Sequence, residues 1–178
     1  MSTTFPEAPV ANPYVKSLAN RVEQHRTSVH ALTIVHDDPA LMRKLADAQN
    51  DQHAITLPVC QADWEASLSE LVGWAIDSGI DEVVVVGHSA GLQESYDQAG
   101  NAADNSLQAI LAAANRTAER VDAAKRHFVG QIMGLSSCPE LQHKQCHDSF
   151  RLHTLFYVAE SGMLLRYEID SATFRPLG

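Results

Sequence analysis

The fold is decided by the stretch Asp81–Gly91, which has the sequence D-E-V-V-V-V-G-H-S-A-G. Its consecutive valines are β-branched and do not alternate with polar residues, which predicts a strand buried on both faces of a parallel sheet. Gly87 ends this strand and places His88 and Ser89 at its carboxyl end. Because open α/β sheets bind their ligands at the carboxyl ends of the strands, we expect the functional site here.

Before this stretch, the sequence alternates between short apolar runs and amphipathic segments. Residues 30–35 and 54–57 are predicted to be strands, and the first of them ends at His36. Gly79 is well placed to end the helix that precedes the valine strand. Three helices are predicted to begin at Asn12-Pro13, Asp38-Pro39 and Asp63, where a capping side chain is followed by the first turn.

After Gly91 the alternation between strand and helix becomes less regular. Residues 92–103 are polar and predict a loop, whereas the apolar positions of residues 107–132 predict one long helix or two joined helices. Residues 134–148 are predicted to be irregular. Residues 150–158 and 163–168 are predicted to be strands joined by a Glu-Ser-Gly hairpin turn.

These elements predict an α/β fold with a mostly parallel central sheet, helices on both faces and a closing C-terminal hairpin. Residues 1–10 are predicted to form an N-terminal tail, because their prolines oppose regular structure. Residues 11–178 are predicted to form a single α/β domain, since this length can bury a full core.

The charge of the chain restricts its partners. With 13 basic and 22 acidic side chains, the net charge of −9 argues against binding to nucleic acid or to anionic membranes. No apolar run is long enough to span a bilayer, and the N-terminal sequence M-S-T-T-F-P-E lacks the features of a signal peptide. The 3 cysteines are odd in number, which favours a reducing compartment, so we expect a cytoplasmic protein.

One functional hypothesis comes from the sequence G-H-S-A-G around Ser89, which matches the nucleophile elbow of the α/β hydrolases. In that hypothesis Ser89 is the catalytic nucleophile. The further strand–helix units that carry the acid and the base in that fold are missing, and no His-Gly-Gly sequence lies upstream to form an oxyanion hole. The nominal partners are Asp122 or Asp148 as the acid and His143, His147 or His153 as the base.

Taken with the rest of the chain, the same stretch resembles the β-class carbonic anhydrases. In that family one strand ends in a C-x-D-S-R motif, a later strand ends in G-H-x-x-C, and a closing strand leads into a Y-x-x-x-x-G-like turn. Residues 31–40, 83–91 and 157–162 stand in these places, in the same order. The resemblance implies the fold of the family, a zinc-dependent lyase activity on CO2 or bicarbonate, and a homodimer or higher oligomer.

The chain departs from that family at the residues that hold zinc. The family binds zinc through two cysteines and a histidine, and its motif aspartate is either a fourth ligand or paired with the arginine. Here His36 stands for the first cysteine, Asp38 keeps the aspartate and Ala40 replaces the arginine. His88 keeps the zinc histidine, and Gly91 replaces the second cysteine.

Two hypotheses follow from this altered set of residues. His36, Asp38 and His88 can supply two nitrogens and one oxygen to zinc, which would generate hydroxide at neutral pH to attack CO2 or a related electrophile. Iron and manganese accept the same ligands. Alternatively, Asp38 only caps a helix and the histidines bind backbone, which predicts a non-catalytic binding or assembly subunit.

The evidence for a functional role is weaker at other cysteines, histidines and aromatic residues. The spacing of two cysteines and two histidines in residues 138–147 is not that of a zinc finger, so these thiols are expected to be incidental. Cys60 is expected to be a small buried residue rather than a ligand or a reactive thiol, and Trp64 a core residue. The potential ligands in residues 138–147 are Cys138, His143, Cys146 and His147.

Overall fold

The computed structural model of the chain describes residues 12–24, 29–48, 53–90, 107–146 and 150–177. The predicted tail at residues 1–10 and the predicted loop at residues 92–103 lie outside these ranges. The helices are α1 (Pro13–Gln24), α2 (Pro39–Ala48), α3 (Trp64–Asp77), α4 (Leu107–Ser136) and α5 (Pro139–Cys146). The strands are β1 (Ala31–His36), β2 (Ala54–Val59), β3 (Glu82–His88), β4 (Arg151–Val158), β5 (Met163–Glu168) and β6 (Thr173–Pro176).

The strands form one 6-stranded sheet in the order β2-β1-β3-β4-β5-β6. The first four strands in this order are parallel, and β5 and β6 are antiparallel to their neighbours. The valine strand β3 lies between β1 and β4, as its unbroken apolar sequence predicts. Because β1 and β3 are parallel neighbours, their carboxyl ends meet at the same edge of the sheet.

Both faces of the sheet carry helices, which confirms the predicted fold class. Val83 and Val85 point into the larger core, where they pack with apolar side chains of α1, α3, α4 and α5. Val86 points to the opposite face and packs with Leu41 and Leu45 of α2. The alternation of side chains along a strand therefore divides one valine run between two cores. None of the described helices is both long enough and apolar enough to cross a bilayer.

Three of the predicted helix signals are confirmed. The side-chain oxygen of Asn12 accepts hydrogen bonds from the backbone N–H groups of Tyr14 and Val15 at 3.0 and 3.4 Å, which caps α1. Asp38 caps α2 in the same way, since its Oδ1 accepts from the backbone N–H of Leu41 at 2.7 Å. Gly79 follows α3 with a φ of 78°, the left-handed conformation that commonly ends a helix.

The predicted cap at Asp63 is wrong. Asp63 lies in a 3₁₀ turn, residues 61–63, and its backbone is already helical, so its side chain makes no capping hydrogen bond. Its carboxylate instead accepts hydrogen bonds from the hydroxyl of Tyr14 at 2.9 Å and from the thiol of Cys60 at 3.0 Å. Cys60 is half-buried and its thiol is hydrogen-bonded to a carboxylate. The prediction that Cys60 is a small buried residue is therefore wrong.

Two elements differ from the expectation for the C-terminal half. Residues 134–146, the described part of the segment predicted to be irregular, are mostly helical, because α4 continues to Ser136 and α5 begins at Pro139, a residue favoured in the first turn of a helix. The buried Leu141 then anchors α5 on the core. Strand β6 is not predicted from the sequence; it has only 4 residues and pairs with β5 at the edge of the sheet.

Candidate functional site

The candidate site lies where β1 and β3 end. His36 is the last residue of β1 and His88 is the last residue of β3, and the centroids of their imidazole rings are 6.0 Å apart. Both side chains are buried, with 8% and 9% of their surface exposed. Asp38 is the second residue after β1, and its carboxylate lies beside His88. The structure thus brings together the three residues that the sequence analysis selects at this edge.

Asp38 has two different contacts, one for each carboxylate oxygen. Its Oδ1 caps α2 through the backbone N–H of Leu41. Its Oδ2 lies 3.3 Å from Nε2 of His88. A helix cap and a site carboxylate are alternatives in the sequence-based hypotheses, but in the structure Asp38 does both at once.

The hydrogen bonding of His88 fixes where its proton lies. Nδ1 of His88 accepts a hydrogen bond from the backbone N–H of Ala90 at 3.0 Å, so the neutral ring carries its proton on Nε2. Nε2 is buried and makes no aligned hydrogen bond, although Asp38 is within ion-pair distance. Burial lowers the pKa of His88, against the opposing attraction of Asp38 and Glu160. His88 is therefore a neutral donor at Nε2 near pH 7.

His36 is held by an aromatic contact that the sequence analysis does not anticipate. Its ring stacks on the indole of Trp64, with centroids 3.8 Å apart and planes 22° apart. Burial, and to a lesser extent the neighbouring His88, lowers the pKa of His36 to about 3. Its Nδ1 is buried without a hydrogen-bond partner. Trp64 is a buried residue as predicted, but it also forms one wall of the site.

A small pocket with a cavity volume of about 20 Å³, room for about one water molecule, lies beside these rings. Trp64 donates a hydrogen bond from Nε1 to Oε1 of Gln131 at 3.1 Å, which joins α3 to α4 across the pocket. Nε2 of His127 lies 2.8 Å from Oε1 of Glu65 at the exposed rim. The residues that line the pocket are His36, Gln61, Trp64, Gly87, His88, Ala124, His127, Phe128 and Gln131.

The polar residues of α4 at this pocket are absent from the sequence-based candidates. His127 and Gln131 are four positions apart, so they lie on one face of α4, next to the buried Phe128. A polar pair at this spacing beside an apolar stripe is the sequence signal that could have identified them. That signal is weak, because the same pattern occurs on solvated helix faces.

Gly87 allows α4 to approach β3 at the floor of the pocket. A Cβ atom at this position would lie 2.4 Å from the ring of Phe128. Phe128 is itself buried, with 2% of its surface exposed, and has little room to move. A glycine is therefore required here by the close packing of strand and helix rather than by backbone conformation.

Ser89 lies next to the pocket but has different partners. Its hydroxyl donates a hydrogen bond to Oε2 of Glu160 at 2.6 Å and accepts one from the backbone N–H of Ala159 at 2.8 Å. It is buried, and these bonds tie the end of β3 to the turn after β4. The proton of Ser89 is thus held by a carboxylate and not by a histidine.

The predicted partners of a Ser89 nucleophile are not brought to it among the described residues. His153 faces Glu82 at 3.6 Å. It lies four residues before Tyr157, whose carbonyl accepts from the Ser89 N–H, which is about 13 Å along the strand. Asp122 lies on the exposed part of α4 and His143 lies on α5. Asp148 and His147 lie outside the described residues.

Comparison with solved structures identifies the fold. The β-carbonic anhydrase CcaA matches with a TM-score of 0.50 and 17% identity, over 93% of this chain and 86% of that chain. The β-carbonic anhydrase CafA of Aspergillus fumigatus matches with a TM-score of 0.50 and 16% identity, over 88% and 90%. A point mutant of CafD from the same fungus gives 0.51 and 14%, over 88% and 93%.

The chain has the β-carbonic anhydrase fold. No protein-family model matches it, and no curated protein matches its sequence. The similarity to the β-carbonic anhydrases therefore lies in the arrangement of the strands and helices, at 14–17% identity in these three matches. The predicted resemblance is confirmed at the level of fold.

The donor groups at this position of the β-carbonic anhydrase fold do not fit a zinc ion as they are arranged. Zinc would need the lone pair of His88 Nε2, which carries the proton because Ala90 donates to Nδ1. One oxygen of Asp38 is already bonded to α2. Within residues 12–24, 29–48, 53–90, 107–146 and 150–177, no three His, Cys, Asp or Glu side chains are placed to hold one metal ion.

The second predicted group of metal ligands is only partly described. Cys138 lies between α4 and α5 and packs against the core, and His143 lies on α5. The side chain of Cys146 and the whole of His147 lie outside the described residues. The prediction that these thiols are incidental stays a prediction.

Proposed function

We propose that this chain is a non-catalytic protein of β-carbonic anhydrase fold that binds a small molecule in the pocket beside His36, Trp64 and His88. The observation that carries the proposal is the protonated Nε2 of His88, which stands where the family resemblance places a zinc-binding nitrogen. The pocket itself has two aromatic walls and a cavity volume of about 20 Å³, so we expect a ligand of only a few atoms.

The chemistry of the substituted residues supports this proposal. The resemblance places a thiolate at position 36, whereas this chain has an imidazole that is neutral near pH 7 and stacked on Trp64. The second thiolate position is Gly91, which has no side chain. Without the two thiolates, this edge keeps only the carboxylate of Asp38 as an anionic group to attract a divalent cation.

The test is the metal content of the protein, purified without a histidine tag, before and after incubation with zinc. We expect far less than one metal ion per chain in both samples and no acceleration of CO2 hydration in a stopped-flow assay. One zinc per chain that is lost in His36→Ala and His88→Ala variants of unchanged circular dichroism would overturn the proposal.

A second candidate is the altered metalloenzyme, a metal-dependent lyase or hydratase acting on CO2 or bicarbonate through His36, Asp38 and His88. One observation favours it, since Nδ1 of His36 and Nε2 of His88 are both buried without a hydrogen-bond partner. Bound zinc would supply a water of pKa about 7. The same elemental analysis, extended to iron and manganese, separates the two candidates.

We also propose that the chain forms a homodimer or larger homo-oligomer and acts in the cytoplasm. The support is the family resemblance for the assembly, and the odd number of cysteines for a reducing compartment. Light scattering coupled to size-exclusion chromatography measures the mass of the assembly. A single species of 19.4 kDa at micromolar concentration would contradict the oligomer.

A further inference from the structure

We infer that the amino-terminal half of α4 is a dimerisation surface, and that its partner is the same half-helix of a second copy of this chain, packed antiparallel. The surface consists of Leu107, Leu111, Ala114 and Ala118, and we call these four residues the outer seam. They lie outside the candidate site. Their assignment rests on the homo-oligomer proposed above and names the residues through which it assembles.

Apolar residues follow α4 at spacings that alternate strictly between four and three residues, from Leu107 to Leu135. The only polar residue in this series is Lys125. A mean spacing of 3.5 residues is typical of a helix that packs lengthwise against another helix through a single stripe. The pattern continues over about four heptads, which is long enough to distinguish it from a short chance match.

The two halves of this stripe have different surroundings. In the carboxyl-terminal half, Phe128, Ile132 and Leu135 are buried in the larger core, where α4 contacts β3, β4 and α5. In the amino-terminal half all four residues of the outer seam are exposed, and Leu107 and Leu111 have 71% and 55% of their surface accessible. Among the described residues, one continuous stripe is thus packed at one end and uncovered at the other.

The uncovered part of α4 is long. The helix begins at Leu107, but the first of its described residues that is buried is Ala124, so about 25 Å of helix has no buried residue. Most helical stability in proteins comes from packing of an apolar face, and an isolated helix of this length is marginal in water. A partner on the outer seam therefore stabilises the helix as well as the assembly.

The composition of this half-helix favours an apolar partner. Residues 107–115 contain no charged side chain, whereas 20% of the whole chain is charged, and the first charged residue of α4 is Arg116. A continuous exposed apolar stripe indicates an interaction surface, unlike apolar residues that are scattered singly. A second copy of the same uncharged surface brings no like charges together.

The order of large and small residues favours the antiparallel arrangement. The outer seam begins with two leucines and ends with two alanines. In an antiparallel pair Leu107 lies opposite the partner's Ala118, and Leu111 lies opposite the partner's Ala114, so each large side chain faces a small one. A parallel pair would place leucine on leucine and alanine on alanine. It would also bring together the two cores, which cover the helix from Ala124 onward, at the same end of the pair.

The experiment measures the mass of the full chain and its variants by light scattering and by sedimentation equilibrium. The unaltered chain should form a dimer of twice 19.4 kDa, with a dissociation constant of about micromolar because the surface is small. Leu111→Glu should weaken the dimer at least about hundredfold, because it places a carboxylate in an apolar contact. Glutamate is a good helix former and Leu111 is exposed in the single chain, so the fold is kept.

Met133→Glu is the matched control. Met133 lies on the same helix and is 50% exposed, but it is not part of the alternating series. This change should leave the dissociation constant within about twofold of that of the unaltered chain. Circular dichroism verifies the helix content of both variants. If Leu111→Glu does not fold, Ala118→Glu places the same charge at the other end of the outer seam and should dissociate the dimer equally.

Two mixtures of variants test the orientation of the pair. Leu111→Glu chains are mixed either with Ala114→Lys chains or with Leu111→Lys chains. The antiparallel arrangement places the new carboxylate directly opposite the new ammonium only in the first mixture, so the first mixture should form the tighter heterodimer. A tighter heterodimer in the second mixture overturns the antiparallel arrangement.

The remaining outcomes separate the surface from the assembly. A monomer of 19.4 kDa at all protein concentrations from about 1 to 100 µM overturns the outer seam and the proposed homo-oligomer together. A dimer that Leu111→Glu leaves intact, or that Met133→Glu weakens equally, overturns only the outer seam, because the chain then assembles through another surface. If the unaltered chain forms a larger assembly, Leu111→Glu should halve its mass, and an unchanged mass overturns the inference.

Discussion

The two ends of the parallel strands each carry a histidine facing an aspartate, and the two pairs behave differently. At the amino end, Nδ1 of His30 lies 3.6 Å from Oδ2 of Asp81, with side chains 58% and 60% exposed. At the carboxyl end, Nε2 of His88 lies 3.3 Å from Oδ2 of Asp38, with side chains 5% and 28% exposed. Water screens the first pair, so it contributes little to stability.

Burial, and not the residue types, therefore makes the carboxyl end a candidate site. There the protein controls which nitrogen carries a proton and leaves polar atoms without partners. Four changes test this contrast, and the expected effects decrease from the first to the last.

The largest effect is expected from Gly87→Ala, which tests how tightly the carboxyl end of β3 is packed. The new Cβ would lie 2.4 Å from the ring of Phe128, so strand and helix must separate. We expect a loss of about 3 kcal/mol in the free energy of unfolding, measured by urea denaturation. The control is Gly73→Ala in α3, where nothing lies within 4 Å and alanine should stabilise the helix by up to about 1 kcal/mol. Equal effects of both changes would show that the floor of the pocket is loosely packed.

Acidification is expected to destabilise the protein through its buried histidines. The pKa of His36 falls from an ordinary 6.5 to about 3 in the folded chain, mainly by burial and then by the charge of His88, while Asp38 opposes the shift. The unfolded chain therefore binds the proton first, so the contribution of His36 is complete above pH 6.5 and decreases as the pH falls toward 3.

We expect His36 to account for about 2 kcal/mol of the stability lost between pH 7.5 and pH 5. His88, whose pKa is also lowered, adds a loss of the same sign. The measurement is urea unfolding at both pH values, compared with His36→Phe, which keeps an aromatic ring against Trp64 but cannot titrate. An identical pH dependence in the variant would contradict the assignment to His36.

Asp38→Ala compared with Asp81→Ala tests the two histidine–aspartate pairs directly. Asp38→Ala removes the cap of α2 and the carboxylate beside His88, so we expect a loss of about 1.5 kcal/mol. Asp81→Ala removes an exposed partner and should change the stability by less than about 0.5 kcal/mol. Asp38→Asn should recover most of the loss. If both alanine variants lose the same stability, burial does not distinguish the two ends.

The smallest effect is expected from Ser89→Ala, which separates a structural hydroxyl from a nucleophile. The change removes the bonds to Glu160 and to the N–H of Ala159, and should cost about 1 kcal/mol. A fluorophosphonate probe should not label the unaltered protein, because no histidine is positioned among the described residues to activate the hydroxyl. Labelling that disappears in Ser89→Ala would restore the hydrolase hypothesis.

Much of this fold can be predicted from local patterns. The valine strand is unusually clear because it is buried on both faces, and Asp38-Pro39 specifies a helix start by side-chain and backbone chemistry alone. The elements that were missed or wrongly predicted have physical explanations. β6 is too short to show a pattern, and Asp63 has the residue type of a cap but lies in a 3₁₀ turn with other hydrogen-bond partners.

Part of the candidate site can likewise be predicted from the sequence, and part of it cannot. His36, Asp38 and His88 could be selected from the sequence because they lie at or just after the carboxyl ends of two predicted strands, in an order that resembles a known family. The stacking of His36 on Trp64 and the contribution of His127 and Gln131 depend on how α3 and α4 pack across the sheet. No local pattern encodes such packing, so the aromatic pocket is visible only in the structure.

The position of β4 in the sheet has a consequence for how the chain folds on the ribosome. The elements from α1 to β3 can pair as soon as they are synthesised, but Glu82 of β3 pairs with Arg151 of β4, which follows only after α4 and α5. Until then the valine strand presents an open, apolar edge to any other chain nearby. Strands that are far apart in the sequence pair slowly. We therefore expect nascent chains of this protein to depend on chaperones while α4 and α5 are being synthesised.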